Sequence, residues 1–281
     1  MSSFATKKQV GEFRTQDGAV LHYMTLGVGA FPIAVIPGAG DGLATLEQTA
    51  TRLALYFAKR RQRYRLLILS RRQPVPVDFG VERHAEDMLE VMRYLKWPPC
   101  ILECNSAGGP IGQHIAVRAP EQVRALILSC TLHRSNPHTI GVLQHWLDLI
   151  AHQNWAEFAW SSIELTFRAS TVRWYRLLRP VLPWLSPPPK DPHRISHVLQ
   201  ELLDFDNRHL LPAIDCPTLV IGGAEDQIVP AEIQSEMAGL IPNSKLTLYQ
   251  GYGHGNDQEN SAYEREVLAF SKLCFIHSPA T

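Results

Sequence analysis

Ser106, Asp226 and His254 are the residues of this 281-residue chain whose types and settings suit nucleophilic catalysis. A serine hydroxyl is a poor nucleophile at neutral pH. It needs a base to take its proton and an acid to orient that base. Ser106 stands in Ile101–Leu102–Glu103–Cys104–Asn105–Ser106–Ala107–Gly108–Gly109, where an apolar run gives way to small residues. Asp226 stands in Gly222–Gly223–Ala224–Glu225–Asp226–Gln227–Ile228–Val229–Pro230, and His254 in Gly251–Tyr252–Gly253–His254–Gly255. Taken singly, each has a plainer reading. Ser106 suits a helix N-cap, Asp226 suits a turn and has Glu225 beside it as a rival acid, and His254 is one of 12 histidines. Taken together they are a nucleophile, an acid and a base, each placed after a strand-like run.

The chemistry also needs donors for a developing oxyanion. A helix leaving Ser106 would present its first backbone N–H groups, with Ala107 N–H facing the oxyanion. The second donor is expected from Pro37–Gly38–Ala39–Gly40, which follows the apolar run Phe31–Ile36, and Ala39 N–H is the candidate. Such a loop can also cradle phosphate, but no Gly-Lys-Ser/Thr follows it and no GxGxxG is present, so nucleotide binding is not expected.

The elements that must position these residues follow from periodicity. Val10–Arg14 and Val20–Leu26 flank Gln16–Asp17–Gly18 and read as a hairpin. Leu46–Lys59 reads as a helix and Arg65–Ser70 as a buried strand. Val81, Ala85, Met88, Leu89, Met92 and Leu95 recur on one helical face. Cys100–Cys104 is a strand, Gly108–Arg118 a helix and Ala125–Cys130 a strand. The alternation implies an α/β fold with a mostly parallel sheet covered by helices on both faces. It stops near Thr131 and resumes with the strand Thr218–Ile221, the helix Pro230–Ala238, the strand Leu246–Tyr249 and a last helix marked by Tyr263, Val267 and Phe270.

The interval between reads as helices only. It holds five of the six tryptophans (Trp146, Trp155, Trp160, Trp174 and Trp184) and the cluster Pro180, Pro183, Pro187, Pro188, Pro189 and Pro192. Residues 132–213 are therefore read as a helical cap, or lid, inserted in a core made of residues 1–131 and 214–281. The tryptophans are expected first as packing anchors, some of them lining a pocket over Ser106. His133 and His138, where the cap begins, are expected at the surface.

Composition bounds the rest. Apolar residues make up 45% of the chain, and Lys+Arg and Asp+Glu stand at 27 each. Net neutrality predicts no nucleic-acid footprint and no attraction to acidic membranes. The basic run Lys59, Arg60, Arg61 and Arg63 is expected to be the solvated end of a helix. Five cysteines, none at a metal-ligand spacing, are expected to be reduced and packed. Met1–Lys8 has no apolar signal core and no run is long enough to span a bilayer, so a cytoplasmic protein is expected.

At these landmarks the chain resembles the α/β-hydrolase superfamily over nearly its whole length. The matching segments are Pro37–Gly38–Ala39–Gly40, Asn105–Ser106–Ala107–Gly108–Gly109, Asp226 with Val229–Pro230, and Gly253–His254. The order Ser, Asp, His is also that of the superfamily. The resemblance implies a mostly parallel eight-stranded sheet with a cap after the sixth strand, and a serine hydrolase needing no cofactor or metal and acting on a small molecule. Ser106 would be the nucleophile, His254 the base, Asp226 the orienting acid, and Ala39 and Ala107 the oxyanion donors. Four departures stand out: Pro37 replaces the usual histidine of the oxyanion loop, Cys104 the first glycine of the elbow, Ser70–Arg71–Arg72–Gln73 an Asp-x-Arg-Gly segment, and Gly255 follows the histidine. The expected reaction is ester hydrolysis of a fairly apolar substrate. Carbon–carbon bond cleavage or lactone opening by the same triad is the alternative, and a non-catalytic ligand-binding protein on the same fold is a third reading.

Overall fold

The computed structural model describes residues 8–185 and 187–276; most of the amino-terminal stretch read for a signal sequence, residues 1–7, lies outside them. Eight strands form one sheet: β1 (Gln9–Arg14), β2 (Val20–Leu26), β3 (Phe31–Ile36), β4 (Tyr64–Leu69), β5 (Cys100–Asn105), β6 (Val123–Ser129), β7 (Thr218–Gly223) and β8 (Ser244–Tyr249). Their spatial order is β1-β2-β4-β3-β5-β6-β7-β8. β1 and β2 form the expected hairpin, with Gly18 supplying the positive φ (85°) of its turn. β2 also runs antiparallel to β4, and every later pairing is parallel.

The parallel strands read as near-continuous apolar runs because helices cover both sheet faces. Side chains alternate between two cores. Ala34, Ile36, Leu102 and Cys104 join one core with Met88 of helix α2 (residues 81–94) and Ile111 and Ile115 of α3 (residues 109–118). Ile33, Val35 and Ile101 join the other with Leu46 and Ala50 of α1 (residues 46–56), and Tyr263 and Val267 near the carboxyl end. Each fully buried Leu or Ile contributes about 1.5–3 kcal/mol, so a one-residue slip of any strand would exchange its two faces at large cost.

Between β6 and β7 the described residues form helices and no named strand: α4 (Pro137–Ala151), α5 (Trp155–Thr166), α6 (Ala169–Tyr175), α7 (Leu182–Leu185) and α8 (Pro192–Gln200). Local chemistry sets their starts. Asn136 Oδ1 accepts from Thr139 N–H (2.8 Å) ahead of α4, and Asp191 Oδ1 from His193 N–H (3.1 Å) ahead of α8. Both helices carry proline at their first position, where no N–H is needed. The chain then returns through β7, α9 (Ala231–Leu240), β8, α10 (Asn256–Glu259) and α11 (Ser261–Ile276).

The basic run after α1 is a correction. Arg60 is 1% exposed, and its guanidinium bonds Glu103 of β5 (2.5 Å) and Glu264 of α11 (2.8 Å). Glu103 points into a covered sheet face, where a carboxylate needs a partnered cation. The cysteines are as expected: all five are free and four are buried.

Candidate active site

The carboxyl ends of parallel strands share one edge of the sheet, so loops distant in sequence converge there. Ser106 follows β5, Asp226 follows β7 and His254 follows β8. His254 Nε2 lies 2.9 Å from Ser106 Oγ, and His254 Nδ1 lies 2.8 Å from Asp226 Oδ2. The structure thus brings all three together in one hydrogen-bonded line. Asp226 is fixed from behind, because its Oδ1 accepts from the N–H groups of Ile228 (2.9 Å) and Val229 (2.8 Å). The rival acid Glu225 points elsewhere, accepting from Gly251 N–H (3.1 Å).

Ser106 has φ +48°, in the left-handed region that a non-glycine residue occupies at a cost of about 1–3 kcal/mol. Neighbours enforce that backbone. Thr131 Oγ1 donates to Ser106 O (2.5 Å). Gly108 lies so close to β3 that a β-carbon there would meet Ile36 O at 2.4 Å. The tight turn lifts the hydroxyl off the sheet edge toward His254.

Burial of the His254 ring disfavours its charged form. The Asp226 carboxylate opposes this by charge and hydrogen bond, with Asp257 adding to it, and together they hold the imidazole pKa above its ordinary 6.5. An imidazolium formed beside Asp226 is thereby stabilised.

Ala39 opens a short 3-10 turn (Ala39–Gly42), and Ala107 lies in another (Ser106–Gly108) that leads into α3. Two residues hold these loops together: Asp41, which sequence reasoning did not single out, and Arg71, which it noted only as part of a departure from Asp-x-Arg-Gly. Asp41 accepts from Ser70 Oγ (2.6 Å) and Arg71 N–H (2.9 Å). The Arg71 guanidinium donates to Ala107 O (2.8 Å) and Pro37 O (3.4 Å). The available signal was the Ser70–Arg71 substitution itself: two polar residues ending an apolar strand must find buried partners.

A cavity of about 390 Å³ opens over Ser106 and His254, with Ala39 in its wall. Its apolar lining comes from Trp146, Phe158, Ile195, Leu199 and Ile228. That size suits a small or medium ligand. Arg52 also lines it and forms no ion pair among the described residues.

The sequence profile of the family described as alpha/beta hydrolase fold matches residues 69–256, well over half of the chain. The chain belongs to this family. The hydrolase is 25% identical over 205 residues to a putative carbamate hydrolase RutD of Stutzerimonas stutzeri strain A1501, covering 69% of this chain and 74% of that one. It is 30% identical over 176 residues to a 2-hydroxymuconate semialdehyde hydrolase of Pseudomonas putida, covering 56% of each. Among solved structures it is similar to MGS-M2, an alpha/beta hydrolase enzyme from a Medee basin deep-sea metagenome library. The TM-score is 0.79 at 16% identity, covering 96% of this chain and 99% of that one. That likeness speaks for the fold alone.

Among the described residues of the hydrolase, one group has the donor types of a metal site: His84, His197 and Glu201, at the seam between α2 and α8. Arg71 Nε already stands 3.6 Å from Glu201 Oε1, so the carboxylate faces a resident cation. Burial raises the Glu201 pKa to about 7, against the lowering effect of Arg71.

One surface expectation needs correction. His133 is fully buried, 3.5 Å from Glu236, because its loop is drawn inward by Asn207 N–H bonding to its carbonyl (2.7 Å). His138 is exposed, as expected, and contacts Gln227 O at 2.7 Å. The tryptophans divide. Trp146 and Trp160 are buried and Trp155 packs edge-on to Phe158. Trp174 and Trp184 face solvent, because α6 and α7 form an outer layer with none of the described residues covering these two side chains.

Proposed function

We propose that this hydrolase cleaves an ester-type bond of a small or medium, fairly apolar substrate through an acyl-enzyme on Ser106. The observation that carries the reading is the line of contacts from Ser106 Oγ to His254 (2.9 Å) and on to Asp226 (2.8 Å). His254 takes the hydroxyl proton as Ser106 Oγ bonds to the carbonyl carbon. Asp226 holds the imidazole in the required tautomer and stabilises its charged form. The backbone N–H groups of Ala39 and Ala107 receive the oxyanion. His254 then protonates the leaving alcohol, and water, activated by the same base, releases the acid. In this reading residues 132–213 are a cap on a core of residues 1–131 and 214–281, and Trp146 and Phe158 select an apolar acyl or alcohol group.

Labelling with a fluorophosphonate and mapping of the adduct tests the reading. An adduct at Ser106 that is lost in Ser106→Ala supports it. A folded protein without adduct favours a non-catalytic binding protein on the same fold.

A second reading keeps the triad and changes the bond to a carbon–carbon or lactone bond. Arg52 favours it, since an unpaired guanidinium in the cavity wall suits a substrate bearing an anionic group. The similarity to a 2-hydroxymuconate semialdehyde hydrolase points the same way. A panel of nitrophenyl esters, lactones and vinylogous diketones separates the two.

A further inference from the structure

We propose that the outer face of residues 169–184 docks this protein on an anionic phospholipid surface, lying in the headgroup layer without crossing it. The inference is independent of the chemistry at Ser106. The inner face of the segment is already used, with Val172 and Leu182 packed against Trp160. The outer face is apolar and open: Trp184 is 85% exposed, Trp174 74% and Leu177 71%. Trp174, Tyr175, Leu177 and Leu178 also line a shallow apolar cleft. Exposed tryptophans and leucines gathered on one face mark an interaction surface, whereas the same residues scattered singly would not.

Charge identifies the occupant. From residue 165 to residue 190 there is no Asp or Glu, while Arg168, Arg173, Arg176, Arg179 and Lys190 all fall within the interval. Arg168 and Arg179 are paired with Glu259 (3.4 Å) and Glu157 (3.2 Å). Arg173 and Arg176 are exposed and form no ion pair among the described residues. Neutrality of the whole chain, which predicts no attraction to acidic membranes, conceals this segregation because the balancing carboxylates lie elsewhere. A second copy of the chain is the weaker fit: a two-fold contact would set the same unpaired arginines against each other. Aromatic and aliphatic side chains among cations are what a headgroup layer accepts. The rings sit at the boundary of the acyl chains and the guanidinium groups pair with lipid phosphates. No helix among the described residues is long and apolar enough to cross a membrane, so the contact is peripheral. Both α6 and α7 pack on α5, whose Phe158 lines the cavity. A docked protein would therefore hold that cavity close to the bilayer.

The test is co-sedimentation of the full chain with vesicles of phosphatidylcholine alone and of equal parts phosphatidylcholine and phosphatidylglycerol, at low and high salt. Binding to the mixed vesicles, weakened by salt, is expected, with quenching of tryptophan emission by brominated lipid. Trp174→Ser with Trp184→Ser should abolish the quenching and weaken binding at least tenfold. Arg173→Gln with Arg176→Gln should weaken it about fivefold per arginine. Circular dichroism melts check that both variants remain folded. Absence of binding to the mixed vesicles overturns the proposal. So does equal binding to both vesicle types that the arginine variant leaves unchanged. A wild-type dimer that the tryptophan variant dissociates, or binding to polyglutamate but not to vesicles, also overturns it, in favour of a second copy or an acidic protein partner respectively.

Discussion

A β-carbon on Gly112 would stand 2.2 Å from Cys104 Sγ. The thiol at the end of β5 therefore occupies the space through which α3 passes, and glycine on α3 compensates for a side chain on the strand. Gly112→Ala should destabilise the protein by about 3 kcal/mol through overpacking. Adding Cys104→Ala should restore most of that loss, although the single Cys104→Ala costs about 1 kcal/mol. Urea melts of the four proteins check this, and strictly additive effects would show that the two residues do not share the space.

The φ of +48° at Ser106 predicts an opposition between stability and activity. Ser106→Gly should raise unfolding free energy by about 1 kcal/mol, because glycine occupies that region without strain. Ser106→Ala should leave stability nearly unchanged. Both should lower turnover by about 10⁴-fold or more. Paired melts and rate measurements decide the matter; a destabilised glycine variant would argue against strain at the elbow.

Asp226→Asn preserves an oxygen for the N–H groups of Ile228 and Val229 but turns an NH2 donor toward His254 Nδ1. A fall in kcat of about 10⁴-fold is expected, with little change in melting temperature. A fall of tenfold or less would mean that His254 is oriented by something else.

With His254 as the proposed base, its raised pKa would set the acid limb of the rate profile. The base must be neutral, so kcat/KM should fall on the acid side with a midpoint above 6.5. Stability runs the other way. The charged His254–Asp226 pair stabilises the fold fully below the unfolded pKa of histidine, and that contribution is lost as pH rises through the folded value. Replacing Asp226 with Asn removes the principal effect that raises the pKa and should shift the acid limb of any residual activity downward. An unshifted limb would assign it to another group.

Glu201, raised from 4.5 to about 7 by burial, holds its proton more tightly in the folded state. The wild-type protein should lose up to about 3 kcal/mol from this group as pH rises from 4.5 to 7. Glu201→Gln lacks that dependence, so its stability relative to wild type should improve across the same interval. Denaturant melts at pH values spanning it would detect the slope; a constant difference would place Glu201 in a wetter setting.

Much of this arrangement was legible in the sequence. Short apolar runs alternating with period-3.6 patterns located every strand of the parallel sheet, because strands covered on both faces, such as Leu66–Leu69, are almost wholly apolar. Ser106, Asp226 and His254 were legible because each follows such a strand. Arg60, Arg71, Asp41 and His133 were not. Their burial depends on partners that are remote in the chain (Glu103 and Glu264 for Arg60, Ala107 for Arg71, Ser70 for Asp41), and no local pattern distinguishes a buried cation from a solvated one. The exposure of Trp174 and Trp184 was hidden for the opposite reason: a tryptophan in a helical segment reads as core until the number of layers beyond it is known.

Arg71 also limits how the molecule can open. Its side chain reaches the carbonyls of Pro37 and Ala107 and faces Glu201 just beyond α8, so one residue of β4's trailing edge ties both sides of the nucleophile loop to the last helix of the β6–β7 interval. Pulling α8 away would part Glu201 from Arg71, whose guanidinium would keep its bonds to the Pro37 and Ala107 carbonyls. Thr171 Oγ1 (2.5 Å) and Arg168 N–H (3.0 Å) likewise donate to Glu259 of α10 at the start of α6, so the interval is fastened at two places.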